Sequence, residues 1–266
     1  MANDEVQLLR SARDGDPKAI EQLLANHEEQ IFRFGLRMCG NEADARDVLQ
    51  DTLLAAFKNL HEFRGESQLS SWLYQIARSF CSRSRRRTAG EPDRLESLDQ
   101  NDALAVPSED RQPEALAHAR EIGAVMQAAI LGLSASEREV IVLRDIEGLT
   151  AEEAAAALGI EVGALKSRLH RARAELREKL AGVLEPESGE GEACPELARE
   201  LASYAQAEID QAACATIERH LASCPRCAAA CGQLKRTVTL CSALPGGKVP
   251  SVVRSAVRKA LREAIG

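Results

Sequence analysis

Residues 133–180 read LSASEREVIVLRDIEGLTAEEAAAALGIEVGALKSRLHRARAELREKL, and three helices separated by two sharp breaks can be parsed from them. Ser134 stands three residues before Glu137 and Thr150 three before Glu153. In such capping boxes the hydroxyl accepts an orphan amide while the Glu reaches back. Gly159 follows Leu158 where a helix must stop and turn, because glycine tolerates the left-handed conformation. In the next helix Val162, Leu165, Leu169, Ala172 and Leu176 recur at helical spacing and form one apolar stripe. The other face carries Lys166, Ser167, His170, Arg171 and Arg177, with Arg168 and Arg173 on its flanks. A short helix, a glycine turn and a second helix with a basic outer face form the sequence pattern of a helix-turn-helix. The alternative is a surface helix whose charges are merely solvated.

The chain has 266 residues, enough for two or three small domains. With 3% aromatic and 28% charged residues, it suits helix bundles with modest cores, and we expect an all-α fold. A formal net charge of -7 is unusual for a DNA binder until the charge is placed along the chain. Residues 78–87, RSFCSRSRRR, hold five arginines and no acid, whereas residues 91–114 hold eight acids against two arginines. Basic contact surfaces joined by acidic linkers are the natural reading. No run approaches the roughly 18 apolar residues of a membrane span, and MANDEVQLLRSARDGD does not read as a secretory signal, so we expect a cytoplasmic protein. There is no phosphate loop, no HExxH and no nucleophile elbow, which argues against an enzyme.

Residues 5–25 read as two short helices broken at Gly15-Asp16-Pro17. Periodicity then predicts one helix from Ala19 to Cys39 and another from Asn41 to Leu60. The latter carries Asp44, Asp47, Gln50 and Asp51 opposite its apolar face, by spacing alone a solvated surface. A third helix, from Gln68 to about Arg86, contains Trp72 and Tyr74 and ends in Arg78, Arg83, Arg85, Arg86 and Arg87. Those cations can hold phosphates while Trp72 either stacks on an unpaired base or belongs to the core.

Six of the eight cysteines fall between Cys194 and Cys241, which in a reducing compartment favours metal or redox chemistry over structural disulfides. His220-x3-Cys224-x2-Cys227, with Cys194 as a fourth donor, matches a Cys3His zinc site. Cys214, Cys231 and Cys241 exceed that requirement. They are idle, form a second soft-metal site, or form a disulfide on oxidation. Residues 248–266 read as a basic amphipathic helix with Val253, Val257, Ala260, Leu261 and Ala264 on one face.

The order of these units resembles the extracytoplasmic-function (ECF) sigma factors, over roughly residues 5–182. DARDVLQDTLLAAFKNLHEFRG is similar to their polymerase-docking helix, SQLSSWLYQIARSFCSRSRRR to their promoter-melting helix, and the 133–180 stretch, with its SRLHRAR core, to their fourth domain. Ser79 stands where the family often has Asn, and Gly163-Ala164-Leu165 where it often has Gly-Thr-Val.

The resemblance implies domains at 5–88 and 119–182 joined by a linker at 89–118. It makes core RNA polymerase and promoter DNA the partners, without covalent chemistry. It also turns Asp47, Gln50 and Asp51 into polymerase contacts. Trp72, Arg78, Arg83, Arg85, Arg86 and Arg87 become melting residues, and Lys166, Ser167, Arg168, His170, Arg171 and Arg173 become upstream-element contacts. After a second linker at 183–193, residues 194–240 resemble the zinc-binding anti-sigma domain, with Leu201 and Tyr204 in its Leu-x-x-Tyr. That domain normally sits on a separate anti-sigma factor and would here be fused in cis. Cysteine-rich sigma tails imply control by zinc, copper or cadmium. The competing function is a polymerase-independent helix-turn-helix regulator with a structural zinc domain.

Overall fold

The computed structural model describes residues 2–63, 65, 67–88, 113–180, 194, 211–244 and 247–265. The linker readings for 89–112 and 181–193, and the pair Leu201 and Tyr204, lie outside these residues. Every regular element among the described residues is helical.

The N-terminal bundle holds α1 (Ala2–Arg13), α2 (Pro17–Ala25), α3 (Glu28–Cys39), α4 (Glu42–Asn59), a 3-10 turn (Leu60–Glu62) and α5 (Leu69–Thr88). Asp16 caps α2 by accepting the Lys18 N–H at 3.0 Å, and Pro17 occupies the first turn, where its missing amide costs nothing. The continuous helix read from Ala19 to Cys39 is in fact two. The chain turns at Asn26-His27, where the His27 N–H bonds the Leu24 carbonyl at 3.1 Å and the imidazole tucks inward beside Gln30. Apolar periodicity passed over this break because both halves bury the same face. Phe32, Phe34, Leu49, Leu53 and Leu73 are almost wholly enclosed. Truncating such a leucine to alanine costs about 2–5 kcal/mol, so this bundle is held mainly by packing.

The second unit holds α6 (Pro113–Leu131), α7 (Ala135–Ile141), a π-helical turn (Val142–Ile146), α8 (Ala151–Leu158) and α9 (Val162–Lys179). α6 has the bounds that the sequence predicts for a helix leading into the 133–180 stretch, and its first residues fall inside the 89–118 assigned to the linker. The Thr150 capping box is complete, with Glu153 N–H to Thr150 Oγ1 at 3.2 Å and Thr150 N–H to Glu153 Oε2 at 2.7 Å. The Ser134 box is half-formed, because the Glu137 carboxylate bonds the Ser134 hydroxyl rather than its backbone amide. Gly159 ends α8 at φ 65°, the left-handed turn between the two helices of the motif. The π-helical turn was not legible in the sequence. Its extra residue per turn, marked by the Glu147 N–H reaching Val142 O at 2.9 Å, turns Asp145 and Glu147 toward different partners.

The two units pack directly together, α3 against α6 and α7, and α5 against α8. Gly40 ends α3 at φ 84°, a left-handed conformation that favours glycine, and a Cβ there would meet Leu131 Cδ1 at 2.8 Å, so that side chain would have to shift to admit one. The tail contributes α10 (Gln211–Ser223), α11 (Pro225–Ser242) and α12 (Ser251–Ile265). α11 lies against the π-helical turn and α9, and α12 lies across α4 and α2. No described helix is long and apolar enough to cross a membrane.

Candidate nucleic-acid interface and metal centre

α9 presents its inward stripe of Leu165, Leu169, Ala172 and Leu176 to the helix-turn-helix core, which leaves Lys166, Ser167 and Arg171 exposed. Arg168 and His170 are half-buried at its margins. Arg173 does not share this outer face. Four residues after Leu169 and three before Leu176, it falls beside the apolar stripe and is 2% exposed. Its guanidinium makes two bonds to the equally buried Asp145, one of them Nε to Oδ2 at 2.8 Å. The sequence reading of Arg173 as a DNA contact is therefore corrected: in this fold it is the partner of a carboxylate inside the unit.

On α5, Arg83 is exposed and lies 4.3 Å above the Phe80 ring. Trp72 is half-buried against Phe63, with ring centroids 5.3 Å apart. Arg78 is drawn into the contact between the two units. Its Nε is 3.0 Å from Glu139 Oε2, and its Nη1 donates to the Leu158 carbonyl at 3.1 Å. The helix reaches Arg85, Arg86 and Arg87, whose side chains lie outside the described set. Ser79 is exposed and its hydroxyl bonds the Ile76 carbonyl at 2.7 Å.

The acidic face of α4 is open to solvent at Asp47 and Asp51, while Gln50 is half-buried. Asp44, Asp47 and Asp51 border a cleft of about 400 Å³ between α4 and α5, with Val48, Phe80, Arg83 and Ser84 on its other walls.

A denser polar constellation, not foreseen in the sequence, joins the two units. Glu147 is buried and accepts from Arg33 Nη2 at 2.9 Å, from Arg33 Nε at 3.3 Å and from the Tyr74 hydroxyl at 2.9 Å. Burial, with Glu147 beside it, pushes the Tyr74 phenol well above its ordinary range, so it stays a donor. Arg138 donates to Met38 O at 2.6 Å across the same junction, and the buried Arg37 donates to Gln127. Burial lowers Arg37 to about 10, which still leaves it charged at neutral pH.

In the tail, the four residues singled out by spacing come together. One ligand atom from each of Cys194, His220, Cys224 and Cys227 lies within 4.8 Å of the others. Around a tetrahedral zinc with bonds of about 2.3 Å the sulfurs sit roughly 3.8 Å apart, so the set fits with small adjustments. His220 and Cys224 do not share one helix. Pro225 starts α11 and Cys224 becomes its N-cap, yet the Cys224 N–H still bonds His220 O at 2.9 Å and keeps the pair together. The Cys227 backbone N–H holds the Cys224 thiol down at about 6, with His220 and Cys194 adding to it. Cys227 is buried with Cys231 and Ile217 beneath the cluster. Cys214 is half-buried and bonds Glu218, while Cys241 is enclosed at the far end of α11, away from the four ligands.

α12 buries Val253, Val257 and Leu261, and lays three arginines on the first bundle. Of the apolar face read from the sequence, Ala260 is half-buried and Ala264 exposed. Arg254 and Arg258 reach the buried Glu28, Arg254 also reaches Glu29, and Arg262 reaches Glu21 at 2.7 Å. Their one-turn repeat (254, 258, 262) was visible in the sequence, but its acidic receptor was not.

The Sigma-70 region 2 family matches residues 23–91, and the Sigma-70, region 4 family matches residues 124–176. The ECF RNA polymerase sigma factor SigM of Mycobacterium tuberculosis is 32% identical over 181 residues, covering 68% of this chain and 86% of SigM. The chain belongs to the ECF sigma factors. The ECF RNA polymerase sigma factor SigE of Mycolicibacterium smegmatis is 36% identical over 171 residues, which is 63% of this chain and 65% of SigE. Among solved structures, the sigma factor RpoE in complex with the anti-sigma factor NepR from Bartonella quintana shares 29% identity. It covers 63% of this chain and 99% of that one at a TM-score of 0.49. In ECF sigma terms, α3–α5 belong to region 2 and α7–α9 to region 4, and the cysteine-rich tail lies beyond both matched stretches.

Proposed function

We propose that this ECF sigma factor recruits core RNA polymerase to promoters and that its tail restrains it in cis through a bound metal. Asp47, Gln50 and Asp51 of α4 take the polymerase. Lys166, Ser167 and Arg171, with Arg168 and His170 at their edge, take the upstream element. Trp72, Arg78, Arg83 and the arginines that follow take the opened strand, where unstacking a base costs a few kcal/mol. Two sites on one chain bind DNA as a bivalent unit, so separating the two regions correctly matters as much as either contact.

The metal reading rests on the Cys194, His220, Cys224 and Cys227 cluster. Three thiolates and one imidazole suit zinc, and copper or cadmium as softer competitors. The metal supplies folding energy to a tail with a core of its own as small as Ile217, Cys227 and Cys231. The observation that carries the restraint is the docking of α11 and α12 onto both sigma regions. We further propose that the tail takes in cis the part of a separate anti-sigma factor, and that the chain acts in the cytoplasm.

Two assays test this. Purified protein should bind core polymerase and direct initiation from a pool of genomic fragments, and a protein that binds DNA without polymerase dependence would contradict it. Metal analysis should give about one zinc per chain, lost in C224S/C227S. Unchanged metal in that double variant would remove the site assignment.

A further inference from the structure

The tail leaves the surfaces that a simple mask would cover in the open. Lys166, Ser167 and Arg171 of α9 are exposed while α11 lies on that helix, and Asp47 and Asp51 of α4 are exposed while α12 lies on that one. What the folded chain does cover is one face of α5, the face that carries Arg78, while Ser79 and Arg83 stay exposed. Region 4 packs α8 onto that face and takes up Arg78 through Glu139 and the Leu158 carbonyl. The seam is closed by Glu147, the cap of the π-helical turn, which holds Arg33 and Tyr74 of region 2.

α11 reaches this seam. The helix starts at the metal ligands, Cys224 as N-cap and Cys227 in its first turn, and runs unbroken to Ser242. From Cys227 to Cys241 that is about 21 Å at 1.5 Å per residue. Cys241 is wholly buried, and the charges that act on its thiol are Asp145 and Arg173 of region 4 and Arg37 of region 2. Leu244, just beyond, belongs to the same core as both sigma regions. One rigid helix thus carries the metal site at one end and a buried anchor among both regions at the other.

We infer that α11 is a keystone: seated at Cys241, it holds region 4 closed over the Arg78 face of the melting helix, and the Glu147–Arg33–Tyr74 cluster is the latch it sets. Restraint acts by keeping the two regions paired, not by hiding the basic face of α9 or the acidic face of α4. Metal at the N-terminal end of α11 favours the seated position, so loss of metal loosens the seam. This deepens the proposed function and rests on it.

The test uses the full chain with metal bound, carrying a pair of spectroscopic labels as non-natural residues at the exposed positions Lys58 and Glu178. Cys241→Trp overfills the buried anchor without touching a metal ligand. It should widen the label distance and raise polymerase-dependent initiation about tenfold, equivalent to about 1.4 kcal/mol of closure, with metal content unchanged. Arg33→Glu should open the chain in the same way, and R33E with E147R should close it again by restoring the pair, which keeps the inference testable if the Trp variant misfolds. Label distances and initiation that stay at wild-type values in C241W and R33E overturn the inference, as does opening without any gain in initiation. Wild type and every variant inert with core polymerase would instead overturn the sigma reading beneath it. Retention of metal in C224S/C227S would overturn the metal reading alone.

Discussion

Arg171 and Arg173 are two residues apart on one helix and belong to opposite classes. Arg171 points to solvent, while Arg173 is enclosed with Asp145 in a pair that is dry on both sides. Breaking a buried pair leaves a charge that nothing compensates, at a cost of about 3–5 kcal/mol. We therefore expect Arg173→Ala to lower unfolding free energy by that amount in urea titrations. Arg171→Ala should change stability by less than about 0.5 kcal/mol, yet weaken DNA binding and reduce the salt slope by about 1. Equal stability of the two variants would contradict the buried assignment of Arg173. Spacing gave Arg171 to the basic face and Arg173 to its flank, and a helical wheel resolves a flank only to about one position, which here decides between DNA and core.

At the scale of the element, α12 shows how sequence and structure divide the information. Val253, Val257 and Leu261 announce an amphipathic helix, and Arg254, Arg258 and Arg262 repeat with the turn. The receptor, Glu21, Glu28 and Glu29, lies more than two hundred residues earlier and appears only when α2 and α3 break at His27. Exposed ion pairs contribute about 0.2–1 kcal/mol each, so the ladder is weak singly and salt-sensitive as a set. The buried Glu28 carries the largest share, because two arginines converge on it. Replacing Arg254, Arg258 and Arg262 together by Glu should free α12, seen as faster tryptic cleavage at the remaining Lys248 and Lys259 and loss of its protection from hydrogen exchange. Unchanged protection would show that the apolar face alone holds the helix. The caps, the glycine turn at Gly159 and the metal-ligand spacing were legible because each is a local pattern with a local physical cause. The π-helical turn, the Glu147 latch and the Cys241 anchor were not, because each depends on which distant residues pack together.

Over the whole molecule, two sigma regions share one continuous apolar core, are further joined by polar contacts around Glu147, and are overlaid by a tail that touches both. Sequence reading found the regions, their order and the four-ligand cluster, and placed the basic helix last. It read the tail as an anti-sigma-like domain fused in cis; the structure leaves the basic face of α9 open and packs region 4 on the Arg78 face of α5. Under the restraint inferred above, a modest change in the tail shifts the balance between closed and separated regions. The most direct test is initiation with core RNA polymerase by the full, metal-loaded chain beside a version ending at residue 182, at equal concentrations. The account predicts that both bind polymerase and that the shortened protein initiates more strongly. A shortened protein that binds polymerase but initiates less would contradict it.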